Sequence, residues 1–263
     1  MFPAIPYSRY ITGTLPWYSV LIVTGILLAY LLCTHEEKRL GLRQDTVLDL
    51  ALWVIPFGVI GARLYYVIFA WETFRSDPMS ILYIWQGGLA IYGGVIGGIA
   101  AILLFARRRK LSPLLLMDMV VPGLALAQAI GRWGNYFNME AYGAEITNPA
   151  WQFFPIGVQI PQGGAYVWHM ATFFYESMWN LAVFLLLWFV IRKRCSRHGT
   201  VTLWYLLLYG LGRLVIEGFR TDSLMLGPIR ISQLLSAGLV LFAGTLLLMR
   251  AIHSRKEITK EAK

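Results

Sequence analysis

The sequence predicts an all-α fold, a polytopic helical membrane protein with about seven transmembrane helices. Three observations carry this. Hydrophobic residues make up 57% of the 263 and charged residues 14%, with a mean hydropathy of +0.59, which is too apolar for an ordinary soluble domain. Seven apolar runs suit the ~20 residues that a helix needs to cross a bilayer. Basic residues recur between them in four clusters that hold 16 of the 23 Lys and Arg.

The first span, 15–33, follows "LPWY", and the N-terminal "MFPAIPYSRY" is placed along the outer interface, where aromatic side chains are at home. Cys33 comes after an apolar run, but Leu32 stands where a lipoprotein signal needs a small residue, so that reading is rejected. Lys38, Arg39 and Arg43 close the span. The second, 47–70, holds Arg63 at depth. The third, 82–106, contains "WQGGLAIYGGVIGG", with six glycines in fourteen residues, and ends at Arg107, Arg108, Arg109 and Lys110. Gly93/Gly97 and Gly94/Gly98 have the spacing that lets helix backbones approach closely. Packing accounts less well for the pairs Gly87–Gly88 and Gly93–Gly94, which would also admit a ligand or a broken helix.

The fourth span, 113–134, runs into "GRWGNYFNMEAYG" at 131–143. A long connection follows at about 138–168, rich in Pro, Gly and aromatics. Trp151, Phe153, Phe154, Tyr166 and Trp168 favour a small ordered cap over a passive loop. The fifth span, 169–191, ends at Arg192, Lys193, Arg194 and Arg197. The sixth is 199–219. The seventh, 231–250, precedes Arg250, Arg255, Lys256, Lys260 and Lys263.

Each basic cluster follows an odd-numbered span, so all share one side. The positive-inside rule makes that side cytoplasmic, with the N-terminus outside and the cap extracytoplasmic. The net charge of +9 is thereby a topology signal and not a nucleic-acid footprint. No linker or repeat divides the chain, which reads as one integral membrane domain, 1–263. Cys33 and Cys195 read as free thiols on the reducing side, and four scattered histidines suggest no metal site.

Seven basic residues lie outside the clusters. Arg9, Arg75 and Arg230 suit the outer interface. Arg63, Arg132, Arg213 and Arg220 sit within or at the ends of apolar segments, matched by the acids Asp118, Glu140, Glu176 and Glu217. Polar groups at membrane depth need a partner or a task. Arginines gathered toward the outer half point to an anion site. Tyr209, Arg213 and Glu217 follow at helical i, i+4 spacing, which would align them on one face; an internal salt bridge is the plainer explanation. Arg132 and Asn135 are three apart, and Gly131, Gly134 and Gly143 would let the chain leave the helix there and free backbone N–H groups for an anion.

"GRWGNYFNMEAYG" resembles the signature of the prolipoprotein diacylglyceryl transferases, Gly-Arg-x-Gly-Asn-aromatic-x-Asn-x-Glu-x-x-Gly, with every fixed position met, Asn138 among them. "LPWY", "GARL", "WQGGLAIYGG", "TFFYE", "YGLGRLVIEGFRTD" and "ISQLLS" resemble further family segments in family order, so the resemblance spans nearly the whole chain. It implies a multi-pass enzyme of the bacterial plasma (inner) membrane. Such an enzyme transfers the diacylglyceryl group of phosphatidylglycerol to the lipobox cysteine thiol of a prelipoprotein. The products are a thioether and glycerol 1-phosphate, and the step is the first of lipoprotein maturation. The partners implied are phosphatidylglycerol and the prelipoprotein signal peptide with its lipobox, and no cofactor.

The resemblance gives Arg132 and Arg213 as the critical pair, with Asn135, Glu140 and Gly143 beside the first and Tyr209 beside the second. Tyr18 matches a functional tyrosine of the first span. Arg63 and Arg220 come second, and Asn138, Gly93 and Glu217 complete the expected substrate-binding set. The chemistry asks for charge stabilisation on a departing phosphate, which arginine supplies bidentately in a water-poor site.

One position departs from the family pattern. Many members carry a histidine, cast as general base, where this chain has Tyr92. A tyrosine hydroxyl ordinarily titrates near ~10 and is a poor base at neutral pH. Either neighbouring arginines make Tyr92 basic enough to take a proton, or no strong base is needed because an electropositive cavity activates the thiol. The second account is preferred, with Tyr92 orienting phosphate or thiol by hydrogen bond. His169 is a reserve base. The alternative function is a polytopic transporter of an anionic solute, which would predict an inward gate and an internal repeat. A structural scaffold would not need several arginines at depth.

Overall fold

The computed structural model describes residues 8–195, 197–221, 225–227 and 229–261, save the side chains of 226, 229 and 255–261. Residues 1–7 of the expected interfacial segment, Asp222 of the sixth-span motif and Lys263 of the last basic cluster lie outside the described residues.

The chain folds as an all-α polytopic membrane protein. Among the described residues seven helices are long and apolar enough to cross a membrane. In chain order the helices are α1 (Trp17–Arg39), α2 (Thr46–Phe69), the single turn α3 (Trp71–Phe74), α4 (Ile91–Arg109), α5 (Pro113–Asn138) and α6 (Thr172–Leu186). Helix α6 continues through a π turn, Leu187–Ile191, into α7 (Arg192–Arg194), and α8 (Thr200–Glu217) and α9 (Ile231–Glu261) complete the set. A short antiparallel hairpin, β1 (Tyr10–Thr12) with β2 (Leu15–Pro16), precedes α1, and two more lie between helices: β3 (Gly157–Gln162) with β4 (Ala165–Met170), and β5 (Met225–Leu226) with β6 (Ile229–Arg230).

Four boundaries differ from expectation. The first helix continues past 33 to Arg39 and the last past 250 to Glu261. The third span begins at Ile91 and not near 82, because Pro78–Leu82 and Ile84–Gln86 form tight 3₁₀ turns and Gly87 and Gly88 take left-handed φ of 92° and 73°. The fourth span runs to Asn138, straight through Gly131 and Gly134. The chain leaves the helix at Met139 and Ala141, whose φ values are 53° and 56°.

The chain divides into two compact units, Tyr30–Met119 and the remainder, Met1–Ala29 with Val120–Lys263. Within Tyr30–Met119, α2 packs against α4 through small residues. A Cβ on Gly61 would lie 3.0 Å from the Gly97 Cα, and one on Gly97 would lie 3.0 Å from the Phe57 carbonyl carbon. Gly93 meets the Gly61 carbonyl at the same crossing, so close backbone approach accounts for it. Arg63 is buried in this unit. Its Nε donates to the Ile81 carbonyl (2.8 Å), Nη2 to Ser80 (2.8 Å), and Nη1 to Gly87 (2.7 Å) and Gly88 (3.0 Å). Its guanidinium carbon stands 5.0 Å from the Phe74 ring centroid. Arg63 thus fastens the turns 80–88 whose carbonyls no helix could satisfy.

In the other unit, α1 and α5 also meet through small residues. A Cβ on Gly25 would be 3.1 Å from the Ala127 Cα, and one on Gly123 would be 3.0 Å from the Ala29 Cα. The expected cap is ordered. β3 and β4 pair from Gly157↔Met170 to Gln162↔Ala165 around Gly163 and Gly164, both left-handed. Val158 and Ile160 pack with Tyr136, Ala171 and Phe173, while Phe154 lies against Phe174 at 5.0 Å between ring centroids. Trp151, Phe153 and Tyr166 remain exposed. Cys33 and Cys195 are not joined in a disulfide.

Candidate functional site

Helix α6 carries a single acid, Glu176, near its start. A lone carboxylate in an apolar span is unstable without cations, and three come to it from other segments. Arg132 on α5 pairs through Nη2 with Glu176 Oε2. Arg213 on α8 pairs through Nη1 with Oε1 at 2.5 Å, and Arg220, just past α8, reaches the same oxygen at 3.4 Å. Arg213 also meets Glu217 Oε2 at 2.7 Å through Nη2, at i, i+4 spacing. Glu176 and Glu217 are almost fully buried, and the three arginine side chains are 22%, 17% and 12% exposed. These three guanidiniums outnumber the two carboxylates, which leaves the group positive. The Arg132–Glu176 and Arg213–Glu217 contacts are charge–charge pairs whose angles fall short of hydrogen bonds. Charge holds these guanidiniums in place.

Arg132 is steadied from its own loop. Its Nη1 lies 3.5 Å from Asn135 Oδ1, and Asn135 Nδ2 donates to Glu140 Oε1 at 2.9 Å. Asn138 Nδ2 donates to the same Glu140 oxygen at 3.1 Å, and Asn138 Oδ1 accepts from Arg9 Nε at 3.1 Å. Glu140 can reach back to both asparagines because the chain reverses at Met139 and Ala141. The signature thus closes on itself as a polar clasp at the end of α5.

Gly143 joins that clasp to the end of α8. It bridges to Arg220, its N–H donates to the Met170 carbonyl (2.9 Å), and the Ala144 N–H donates to Phe219 (3.1 Å). A Cβ at 143 would fall 2.7 Å from the Phe219 oxygen and 2.9 Å from both Met170 Cβ and Thr172 Cγ2, so only glycine fits. His169 braces the same point: Nδ1 is 2.9 Å from the Gly143 carbonyl and Nε2 is 3.1 Å from Gln162 Nε2. With a carbonyl as partner, Nδ1 carries the proton and Nε2 accepts from the amide. Both ring nitrogens are engaged, which makes His169 a brace and not a free base.

Tyr18 of α1 lies against Gly134, where an added Cβ would stand 3.1 Å from the ring Cε2. The expected Tyr–Arg–Glu stripe on α8 forms in part. Arg213 pairs with Glu217, while Tyr209 stacks on Tyr205 at 5.6 Å. The remaining expected residues, Arg63, Tyr92 and Gly93, belong to the unit Tyr30–Met119. Tyr92 opens α4 with its ring 6.2 Å from that of Tyr65.

Sequence reading treated Glu176 as one of several matching acids, not as the hub. The signal was its solitude in an apolar span. Arg230, assigned only to an interface, donates to the Gly218 (2.8 Å) and Arg220 (3.1 Å) carbonyls and caps the end of α8.

Such a site, a net-positive arginine cluster at the ends of apolar helices, suits an anionic group on an amphipathic molecule. The comparisons agree in kind. The sequence profile described as Prolipoprotein diacylglyceryl transferase matches residues 8–249. The phosphatidylglycerol–prolipoprotein diacylglyceryl transferase of Bacillus mycoides is 46% identical over 240 residues, covering 89% of this chain and 87% of its own. That of Limosilactobacillus reuteri is 46% identical over 242 residues, covering 90% and 86%. That of Bacillus anthracis is 45% identical over 240 residues. With its family profile matched over almost its full length and its signature arginine paired inside an apolar bundle, the chain belongs to the prolipoprotein diacylglyceryl transferase family.

Proposed function

We propose that this protein transfers the diacylglyceryl group of phosphatidylglycerol to the thiol of a prelipoprotein lipobox cysteine, releasing glycerol 1-phosphate. The observation that carries the reading is the buried cluster in which Arg132, Arg213 and Arg220 surround Glu176 with positive charge in excess. The thiolate sulfur attacks the glycerol carbon that bears the phosphate ester. The C–S bond forms as the C–O bond breaks, and the electron pair leaves on the phosphate oxygen. A phosphodiester with one negative charge thereby becomes a monoester that gathers a second. Guanidiniums set around it stabilise the transition state more than the ground state, which is what accelerates a reaction.

Arg132 and Arg213 take the phosphate oxygens, with Arg220 behind them. Glu176 and Glu217 hold the guanidiniums apart and aimed. Asn135, Asn138 and Glu140 fix Arg132 through the clasp, and Gly143 fixes the clasp to α8. Tyr18 and Tyr209 flank the lipid. Gly93 rests on the resemblance; Tyr92, where this chain departs from the family pattern, orients phosphate or thiol by hydrogen bond, and the thiol proton leaves to solvent from an electropositive site. Arg63 acts through the turns 80–88 that it fastens. The chain works as one integral domain of the bacterial plasma membrane, N-terminus outside, with the β3–β4 cap on the outer face contacting prelipoprotein. No cofactor enters the scheme. No observation favours the transporter reading over this one.

The test is mass spectrometry of a lipobox peptide incubated with purified protein and phosphatidylglycerol, with Arg132→Ala alongside. The expected result is a diacylglyceryl mass gain with wild type alone, with glycerol phosphate released. A folded wild-type protein that leaves the peptide unchanged would overturn the reading.

A further inference from the structure

A small cleft runs between α6 and α8 from the charged cluster toward the middle of the two spans. Glu176 and Arg213 line one part of it, with Asn180, Tyr209 and Gly212 also in its wall. The two helices run antiparallel, so Asn180 is one turn below Glu176 on α6 as Tyr209 is one turn from Arg213 on α8, ~6 Å toward the bilayer centre. Gly212 leaves the space that Trp179 fills, and the Trp179 indole N–H donates to the Leu208 carbonyl at 2.9 Å, which fixes that wall.

Asn180 is 3% exposed, yet its side chain makes no hydrogen bond to another described residue. The amide lines the cleft, and a polar group within an apolar span needs a partner, which here has to come from the cleft. Its neighbour across the cleft, Tyr209, stacks its ring on Tyr205 and also offers an uncommitted hydroxyl among the described residues. Two polar groups left unpaired beside a cation cluster await a ligand whose own polar atoms lie on the apolar side of an anion.

We propose that Asn180 and this cleft form a second subsite, which receives an acyl-ester carbonyl of the lipid donor. The proposal rests on the transferase reading above. In a diacyl phospholipid the ester carbonyls sit next to the phosphate on its membrane side, separated from it by the glycerol carbons. With the phosphate on Arg132 and Arg213, an ester oxygen falls about one helical turn deeper, at the level of Asn180. The amide Nδ2 donates to that carbonyl, which has no proton to compete. Held at phosphate and ester together, the glycerol carbon between them has a fixed C–O direction, which is what in-line attack requires. A free phosphate or a water-soluble ester lacks this pair of groups at this spacing, so the subsite also selects for a diacylglycerol phosphate. Asn180 is in this account a substrate-positioning residue.

The experiment compares two donors of equal chain length, diester and diether phosphatidylglycerol, with a lipobox peptide as acceptor. Wild type, Asn180→Leu and Asn180→Ser are assayed for kcat and KM. Wild type is expected to favour the diester by roughly fivefold or more in kcat/KM, the worth of one hydrogen bond. Asn180→Leu, close in volume, is expected to lose on the diester alone, so that its preference collapses. Asn180→Ser keeps a donor and part of the preference. Equal losses on both lipids, or a preference that survives in Asn180→Leu, would overturn the subsite. If Asn180→Leu does not fold, the serine variant and the wild-type ratio still decide, since wild type indifferent to the ester also overturns it. A folded wild type that turns over neither lipid overturns the transferase reading instead.

Discussion

Arg132 and Arg213, carried on different helices, hold the two oxygens of one carboxylate, that of Glu176. On the proposed function, that carboxylate is an internal anion at the place where the lipid phosphate binds. It keeps the guanidiniums together before the lipid arrives and competes with the lipid for them. Replacing Glu176 by Gln removes the competing charge and the aim at once. Glycerol 1-phosphate is therefore expected to inhibit Glu176→Gln more strongly than wild type, while kcat falls by about tenfold or more. Inhibition constants and kcat on the same preparation check this. Weaker product inhibition in the variant would show that Glu176 does not compete with the phosphate.

Arg63 lies among apolar residues and was expected on the substrate, but its guanidinium makes four hydrogen bonds to backbone carbonyls between Ser80 and Gly88. Met in its place leaves those carbonyls unmet. Arg63→Met should lose stability, on the order of 3 kcal/mol, with a lower Tm in detergent. The fraction that remains folded should keep its KM for phosphatidylglycerol. A normal Tm with a raised KM would put Arg63 back on the lipid.

The seven spans were legible because hydropathy over ~20 residues is a local property. The details that the sequence did not disclose are tertiary. The late start of α4 follows from left-handed Gly87 and Gly88, and those conformations are held by Arg63 on another helix. The end of α5 was expected at Gly134, but that glycine serves to admit the Tyr18 ring and stays helical. Glu176 gave one local sign, a lone acid, and its three partners come from α5, α8 and the segment after α8. The β3–β4 hairpin was legible in principle. Gly163–Gly164 separates two runs that alternate between faces, a usual sign of a tight hairpin turn. The aromatics of that segment pointed to an ordered cap, and its strands went unnamed.

Gly143 tests whether the clasp and the arginine cluster are one unit. Its missing side chain lets the signature loop lie on the Phe219 carbonyl, next to Arg220. Gly143→Ala inserts a methyl 2.7 Å from that oxygen, and the backbone rather than a flexible side chain must move. Loop and α8 terminus are expected to part, which displaces Arg132 and Arg220 together. A loss of ~100-fold or more in kcat/KM is expected, because small misplacements of catalytic groups are that costly. A variant with wild-type kcat/KM would separate the clasp from catalysis.

Tyr92 stands where the family pattern has a histidine, so the source of thiol activation can be tested at one oxygen. If an electropositive site activates the thiol, Tyr92→Phe removes a hydrogen bond but not a base. The expected outcome is a drop in kcat of about five- to tenfold, the worth of one hydrogen bond, with the pH dependence of kcat/KM unchanged in shape. If Tyr92 were the base, the same variant would lose turnover almost entirely while still binding lipid, and its residual rate would rise with pH as the free thiol ionises. Undiminished activity would remove Tyr92 from the mechanism. Tyr92→His adds the complementary measurement. It restores the residue that many family members carry, so under the first account it should leave kcat within a few-fold of wild type at neutral pH. Under the second it should raise kcat sharply at pH 6–7, where an imidazole is the better base.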